Sequence, residues 1–218
     1  MEFKGVKDRI ILCKVTSRSR LAELQHCVES YLSLADNPHR LAWLFSFDTD
    51  DKTYDGLKLP GLKVYGHSES KIHAINRDVQ FAPEDWHILL NISDDQIAVR
   101  KGWDTLISEA MPNDLDHSLW FNDGLQKRIN TQEIVGINYY KRFGYIYHPS
   151  YKSFYCDNES TDVAKSLDRL IHIDTCIIEH RHPAGVKTVK YDELYNRNQK
   201  FWAEDEANYK LRNQNGFT

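Results

Sequence analysis

The stretch "NISDDQ" closes an apolar run, Ile88-Leu89-Leu90, with two adjacent acids, Asp94 and Asp95. Neighbouring carboxylates at a strand end offer hard oxygen ligands suited to Mg2+ or Mn2+. A cation held there can bridge diphosphate oxygens and offset charge on a departing phosphate. The same pair also fits a solvated turn leading into a helix, where acids are favoured. A second cluster, "EHRHP" (Glu179–Pro183), sets His180 and His182 two residues apart, so an extended backbone points both to one side. Such imidazoles suit metal ligation, or else they are titrating groups at a surface strand end. In "FYCDNESTD" (Phe154–Asp162), Asp157 and Glu159 flank an asparagine before a helix-like segment. A carboxylate there could act as general base toward an alcohol, or the acids could simply mark a helix start capped by Ser160 or Thr161. Finally, "SRSR" (Ser17–Arg20) follows an apolar run with hydroxyls and guanidinium groups that can meet phosphate or a base edge.

These groups need a frame. "RIILCKV" (Arg9–Val15), "LAWLFSF" (Leu41–Phe47), "LKVYG" (Leu62–Gly66) and "WHILLNIS" (Trp86–Ser93) read as strands. Between them, Leu21, Leu24, Val28, Tyr31, Leu32 and Ala35 fall near helical spacing, and Ser68–Val79 reads as a helix with Ser68 as N-cap. The alternation predicts β-α-β units, hence a mostly parallel sheet with helices on both faces. In such sheets ligands bind beyond the carboxyl ends of the strands. The polar loops at 16–20, 48–52 and 93–95 should therefore gather on one edge. The second half is less regular. "DHSLWFNDG" and "TQEIVGINYYKRFGYIYHP" read as strands and turns, Ser160–Ile171 as a helix and Thr175–Pro183 as a strand. The region from about 190 to 213 reads as a terminal helix with a turn.

Bulk properties narrow the classes. The 218 residues suit one domain, with a nucleotide-binding half over about 1–110 and a half that supplies acceptor contacts and completes the metal site over about 111–218. With 28% charged and 41% hydrophobic residues the chain reads as soluble and globular. No apolar run is long enough for a bilayer, and "MEFKGVKDR" lacks the apolar core of a secretory signal, so a cytoplasmic location is expected, with no membrane contact and no obligate protein partner. The net charge of −4 argues against a generally basic nucleic-acid surface. Cys13, Cys27, Cys156 and Cys176 are scattered and read as reduced. The absence of GxGxxG, GKS/GKT and GxSxG patterns disfavours dinucleotide binding, P-loop hydrolysis and a serine-hydrolase elbow.

Taken in order over about residues 9 to 182, the segments resemble the GT-A-type, family-2-like nucleotide-sugar glycosyltransferases. "ILCKVTSRSRLAELQHCVESYLSLADNPHRLAWLFSFDTDD" is similar to that family's opening strand, polar loop, helix and acid-ended second strand. "GHSESKIHAINRDV" resembles its Gly-x-n-Ala-x-Asn helix, "ILLNISDDQIAVRKGWD" its acidic metal motif and tryptophan-bearing helix, and "YCDNE" followed by "EHRHP" its catalytic acid and late histidine.

The resemblance implies an α/β fold, a GT-A-like open, mostly parallel sheet flanked by helices in a Rossmann-like three-layer sandwich. It implies a Mn2+- or Mg2+-dependent transferase moving a sugar, with inversion, from a nucleotide-diphosphate sugar (UDP-sugar favoured). The acceptor is a carbohydrate or a hydroxymethylated base in DNA of the phage type, toward which Lys127-Arg128, Lys141-Arg142 and Lys152 could steer. A nucleotidyltransferase or a non-catalytic nucleotide-sugar-binding domain is the alternative on a related sheet. Position by position, Thr16, Ser17 and Arg18 would lie by the nucleotide, Asp48 or Asp50 by its base or ribose, and Lys71 and Asn76 by the nucleotide sugar. Asp94 would face the ribose or sugar. Asp95 would bind the metal, with His180 or His182 completing the coordination. Asp157 would be the base, with Glu159 as its alternate, and Trp103, Trp120 and Tyr155 would wall the acceptor side. The chain departs from the family where Ser93 takes the first place of the usual acidic triplet, and where Asp157-Asn158-Glu159 replaces the commoner Glu-Asp pair.

Overall fold

The structure is a computed structural model that describes residues 5–183 and 191–217. Its elements run in the order Ile11–Thr16 (β1), Leu21–Leu34 (α1), Leu41–Asp48 (β2), Leu62–Gly66 (β3), Lys71–Asn76 (α2), Ile88–Ser93 (β4), Gln96–Ala98 (β5) and Trp103–Ala110 (α3). They continue with Ser118–Asn122 (β6), Ile134–Gly136 (β7), Ile137–Phe143 (α4), Cys156–Ser166 (α5), Leu170–Cys176 (β8), Ile178–His180 (β9), Glu193–Gln199 (α6) and Trp202–Gln214 (α7).

Seven strands form one sheet in the order β3-β2-β1-β4-β7-β6-β8. The pairings β3–β2, β2–β1, β1–β4 and β6–β8 are parallel, and β7 alone runs against both its neighbours. The expected mostly parallel sheet is therefore present. Its inner strands are buried on both faces, as in a sheet covered twice, and mostly apolar apart from Lys14, Ser46 and Asn91 on one face. On β1, β2 and β4, residues Ile11, Cys13, Val15, Phe45, Phe47, Ile88, Leu90 and Ile92 join the core under α1 and α3. Leu12, Leu44 and Leu89 join the other core, with Ile72 and Ile75 of α2, Tyr139 of α4 and Ala164 of α5. All four cysteines are free thiols, three buried and Cys176 half-buried. Among the described residues no helix is long and apolar enough to cross a membrane.

Several boundaries differ from those read in the sequence. Helix α2 is a short element starting at Lys71, and its cap is Ser70, whose hydroxyl accepts from His73 N at 3.1 Å, rather than Ser68. Helix α5 begins at Cys156, so Asp157 and Glu159 lie in its first turn instead of before it, and the residues from Leu170 leave the helix for β8. The segment after β7 is the helix α4 rather than further strand. The strand expected over 175–183 is split between the end of β8 and the three-residue β9.

The split matters for function. Strand β9 pairs antiparallel with β5, the extended segment that directly follows Asp94-Asp95, with Gln96 opposite His180. Arg181 N then donates to Asp95 O at 2.8 Å. A two-stranded ribbon, instead of the helix expected immediately after the acids, joins "SDDQIA" to "EHRHP" across more than eighty residues of sequence.

Candidate active site

The loops after β1, β2 and β4 meet at one sheet edge, as the strand order requires, and floor a cleft of about 590 Å3. The opposite walls come from α2, the 125–131 loop, the start of α5, and α6 with the first residues of α7.

On the first side, Thr16, Ser17, Arg18 and Asp48 all line the cleft. Arg18 spans Asp48 at 2.6 Å and Asp50 at 2.7 Å, which orients the loop after β2. Asp48 keeps one buried oxygen, Oδ1, with no hydrogen-bond partner, an acceptor site left for a ligand donor. Asp50 is an exposed partner of Arg18 and stands outside the cleft lining.

Asp94 is buried, and both its oxygens are engaged. Ser17 Oγ donates to Oδ2 at 2.5 Å and Arg20 Nη1 to Oδ1 at 2.9 Å. Burial and the neighbouring Asp95 charge push its carboxyl up to about 6, against the pull of Arg20 and Ser17. Asp95 differs. Burial opposes its ionisation, but His180, with its Nε2 3.6 Å from Oδ2, overcomes that cost with help from Lys71 and the Tyr195 hydroxyl. Its carboxyl is thereby held below the ordinary range. Its Oδ1 is buried without a hydrogen-bond partner. Burial by itself would lower the His180 pKa, yet Asp123 and Asp95 outweigh it and raise the imidazole to about 9. The ring of His182 lies 5.6 Å from that of His180 and also lines the cleft.

Among the described residues no three carboxylate, imidazole or thiol groups converge tightly enough to chelate a cation by themselves. The Asp95–His180 pair with its orphaned oxygen would fit a divalent cation of the Mn2+ or Mg2+ class once His180 gives up its proton, provided the ligand brings further oxygens.

Asp157 lines the same cleft, and burial raises its pKa above the usual aspartate value, opposed by the Asn158 amide and by Lys71. Lys71, on the first turn of α2, is a cleft residue whose charge reaches Asp95, Asp157 and His180.

Besides Asp50, four expected positions lie elsewhere, each for a packing reason. Glu159 turns away from the cleft to accept from Tyr151 Oη and Arg212 Nε, both at 2.7 Å, fastening α5 to α7. Asn76 accepts from Ile146 N and Tyr147 N at 2.9 and 3.0 Å and pins that loop. Trp103 is wholly buried under α1, edge-on to Tyr31, with its indole N–H on Tyr31 O at 3.0 Å. Trp120 sits on β6 against His172. Of the expected aromatic wall only Tyr155 faces the cleft, joined there by Phe154 and Trp202.

Three further residues complete the site: Arg20, from the SRSR stretch, and Tyr195 and Asp123, which have no sequence signal of their own. Tyr195 of α6 donates to Asp95 Oδ2 at 2.7 Å. Arg20 bridges Asp94 and Asp192 and lies 4.3 Å from the Tyr195 ring centroid. Asp123 accepts from Leu125 N, Gln126 N and Thr131 Oγ1 and sets a carboxylate 3.9 Å from His180 Nδ1.

The strand order, the two helical layers and a cleft at the carboxyl edge are those of a GT-A-type fold. No family model and no curated protein matches the sequence. Solved structures do match. A mannosyltransferase from Pyrobaculum calidifontis, in complex with GDP-Man and Mn2+, aligns with a TM-score of 0.62 at 10% identity over 81% of this chain. The chain spans 58% of that protein's length. A Drosophila galactosyltransferase 7 mutant, in complex with manganese, UDP-Gal and xylobiose, aligns at 0.51 and 13% identity over 88% of this chain and 79% of its own. The 4-diphosphocytidyl-2C-methyl-D-erythritol synthase of Anaerococcus prevotii aligns at 0.53 and 9% identity, over 89% and 97%. At these identities the likeness is one of fold.

Proposed function

We propose that the chain is a divalent-metal-dependent glycosyltransferase that moves a sugar from a nucleotide-diphosphate sugar, UDP-linked by preference, to an acceptor hydroxyl with inversion. The observation that carries this reading is the buried, unpartnered oxygen of Asp95 beside His180, in the same cleft as the raised carboxyl of Asp157. Asp95, His180 and His182 would hold the metal, whose chemistry is to neutralise charge on the diphosphate leaving group. Thr16, Arg18 and Asp48 bind the nucleoside, with Asp48 Oδ1 as the acceptor for a base N–H or ribose hydroxyl. Asp94, clamped by Ser17 and Arg20, is better suited to fixing the loop than to gripping the sugar directly. Lys71 places its charge near the diphosphate.

In the transfer itself the acceptor oxygen bonds to the anomeric carbon while the bond from that carbon to the diphosphate oxygen breaks. Asp157 takes the acceptor's proton, a role its raised pKa suits because a stronger base is a better proton acceptor. Pre-positioning of two bound substrates supplies much of the acceleration. The acceptor favoured is a carbohydrate. Of the cations that could steer DNA, Arg142 is tied to Asp116, and only Arg128 lines the cleft.

The match to a cytidylyltransferase-type synthase supports a second reading, in which the same acids bind a nucleoside triphosphate. Incubation with nucleoside triphosphates and with nucleotide sugars separates the two. Release of nucleoside diphosphate from a sugar donor is expected. Pyrophosphate from a triphosphate, with no turnover of any sugar nucleotide, would install the second reading instead.

A further inference from the structure

The acceptor side of the cleft has a built aromatic wall. Trp202 packs against Phe154 and Tyr155, with ring centroids 4.9 and 5.2 Å apart, yet stays 44% exposed. Among the large exposed hydrophobics of the described residues it is the one that lines the cleft. The wall is held at a cost. Tyr155 adopts a left-handed backbone with φ 59°, which a bulky side chain disfavours. The wholly buried carboxylate of Asp205 on α7 fixes the preceding loop, accepting from Lys152 N at 2.9 Å and from Ser153 N and Phe154 N at 2.8 Å. A strained, clasped aromatic pair left open to solvent is suited to stacking on a flat ring, sugar faces included.

The charge around this wall is mixed, with Asp157 in the same cleft and Glu206 acting on Tyr155, but its cations are the groups left unpaired. Arg128 and Lys200 both line the cleft, and neither pairs with a carboxylate among the described residues; Lys200 rests over the Phe201 ring at 4.8 Å. Arg18 and Arg20, by contrast, each bridge two carboxylates, although Arg20 Nη2 keeps no hydrogen-bond partner. Two unpaired cations in the same cleft as the aromatic pair, one of them Lys200 two residues before Trp202, offer contacts for an anion.

Building on the glycosyltransferase reading, we propose that the acceptor is an anionic saccharide, its ring on Tyr155 and Trp202 and its carboxylate or phosphate met by Arg128 and Lys200. A uronic acid and a sugar phosphate share this chemistry, and the test tells them apart.

The test offers the enzyme, with its donor and Mn2+, matched panels in which each hexose is supplied as the neutral methyl glycoside, the uronic acid and the 6-phosphate. Nucleoside diphosphate release above the hydrolysis rate is then measured. An anionic member should outperform its neutral counterpart about ten-fold, roughly the worth of one charge-assisted contact. Whether the uronic acid or the 6-phosphate leads identifies the anion. Arg128→Gln and Lys200→Gln should each raise the KM for that acceptor while leaving the donor KM in place, and Trp202→Ala should raise the KM for charged and neutral rings alike. Equal use of neutral sugars, turnover confined to an oligonucleotide, no acceptor from any panel, or a rise in donor KM instead would each overturn the proposal. Failure of every nucleotide sugar to bind would overturn the transferase reading beneath it, and that is read separately by thermal shift with donor alone.

Discussion

Asp94 and Asp95 are adjacent in sequence and opposite in circumstance. One is fully hydrogen-bonded by Ser17 and Arg20 with its pKa raised, and the other is held ionised by His180 with an oxygen to spare. Asp95→Ala should therefore abolish the Mn2+ dependence of nucleotide binding, whereas Asp94→Asn should act chiefly through the loop after β1; isothermal titration with UDP, with and without Mn2+, reads both. Asp157→Asn should lower transfer by about 10²- to 10⁴-fold, the usual worth of a general base, while the donor still binds. Because burial raises the Asp157 pKa, the acid limb of the wild-type kcat/KM profile should lie above the ordinary aspartate range. A limb at or below that range would remove Asp157 from the role.

Glu133 supplies a stability test at the same scale. It is buried, with Ser160 Oγ donating to it at 2.8 Å, and burial pushes its pKa from the ordinary 4.5 to about 7. The folded state thus holds the proton over a range where the unfolded chain has lost it. Stability present below about pH 4.5 should decline as pH rises through 7. Glu133→Gln should flatten that decline, so its urea midpoint relative to wild type should be higher at pH 8 than at pH 5.

At the scale of elements, the short ribbon of β5 and β9 brings Asp95 to His180, and α7 secures the Tyr155–Trp202 wall of the cleft. Helix α7 is anchored twice, through Arg212 on Glu159 and through Asp205 on the 152–154 amides. Glu159→Gln weakens the first anchor and should cost on the order of 2 kcal/mol in unfolding free energy, since it leaves a partly buried arginine without its counter-charge. Asp205→Ala strips three amides of their acceptor and should loosen Tyr155, seen as a rise in acceptor KM larger than any change in donor KM.

The sequence made β1, β2 and β4 legible because parallel strands covered on both faces are short, nearly continuous apolar runs, whereas β3 is a half-exposed edge strand. The loops that follow β1, β2 and β4 were legible for the same reason. The 4-residue offset between Ser160 and the observed start of α5 at Cys156 was not, because Tyr155 enters that helix from a left-handed conformation rather than through a side-chain cap. Trp103 was misplaced because an indole suits a core and a cleft equally well, and only the Tyr31 contact decides. Glu159 looked like a base until Arg212, 53 residues later, claimed it. Tyr195 and Asp123 carry no local pattern at all. They join the site through the fold, one hundred residues from Asp95 and 57 from His180 in the chain.

For the whole molecule, a GT-A-type sheet and a cleft at its carboxyl edge lined by Asp95 and His180 lead to the central proposal that metal and nucleotide sugar bind together there. The most direct measurement is a thermal-shift panel of UDP-, GDP- and CDP-linked sugars with and without Mn2+, run on wild type and Asp95→Ala. A ligand that binds only the native state at one hundred times its Kd adds about 2.7 kcal/mol of stability, so the midpoint should rise clearly for one donor class. The rise should require Mn2+ and vanish in Asp95→Ala. No rise with any nucleotide sugar in the presence of Mn2+, or an equal rise in the variant, would contradict it.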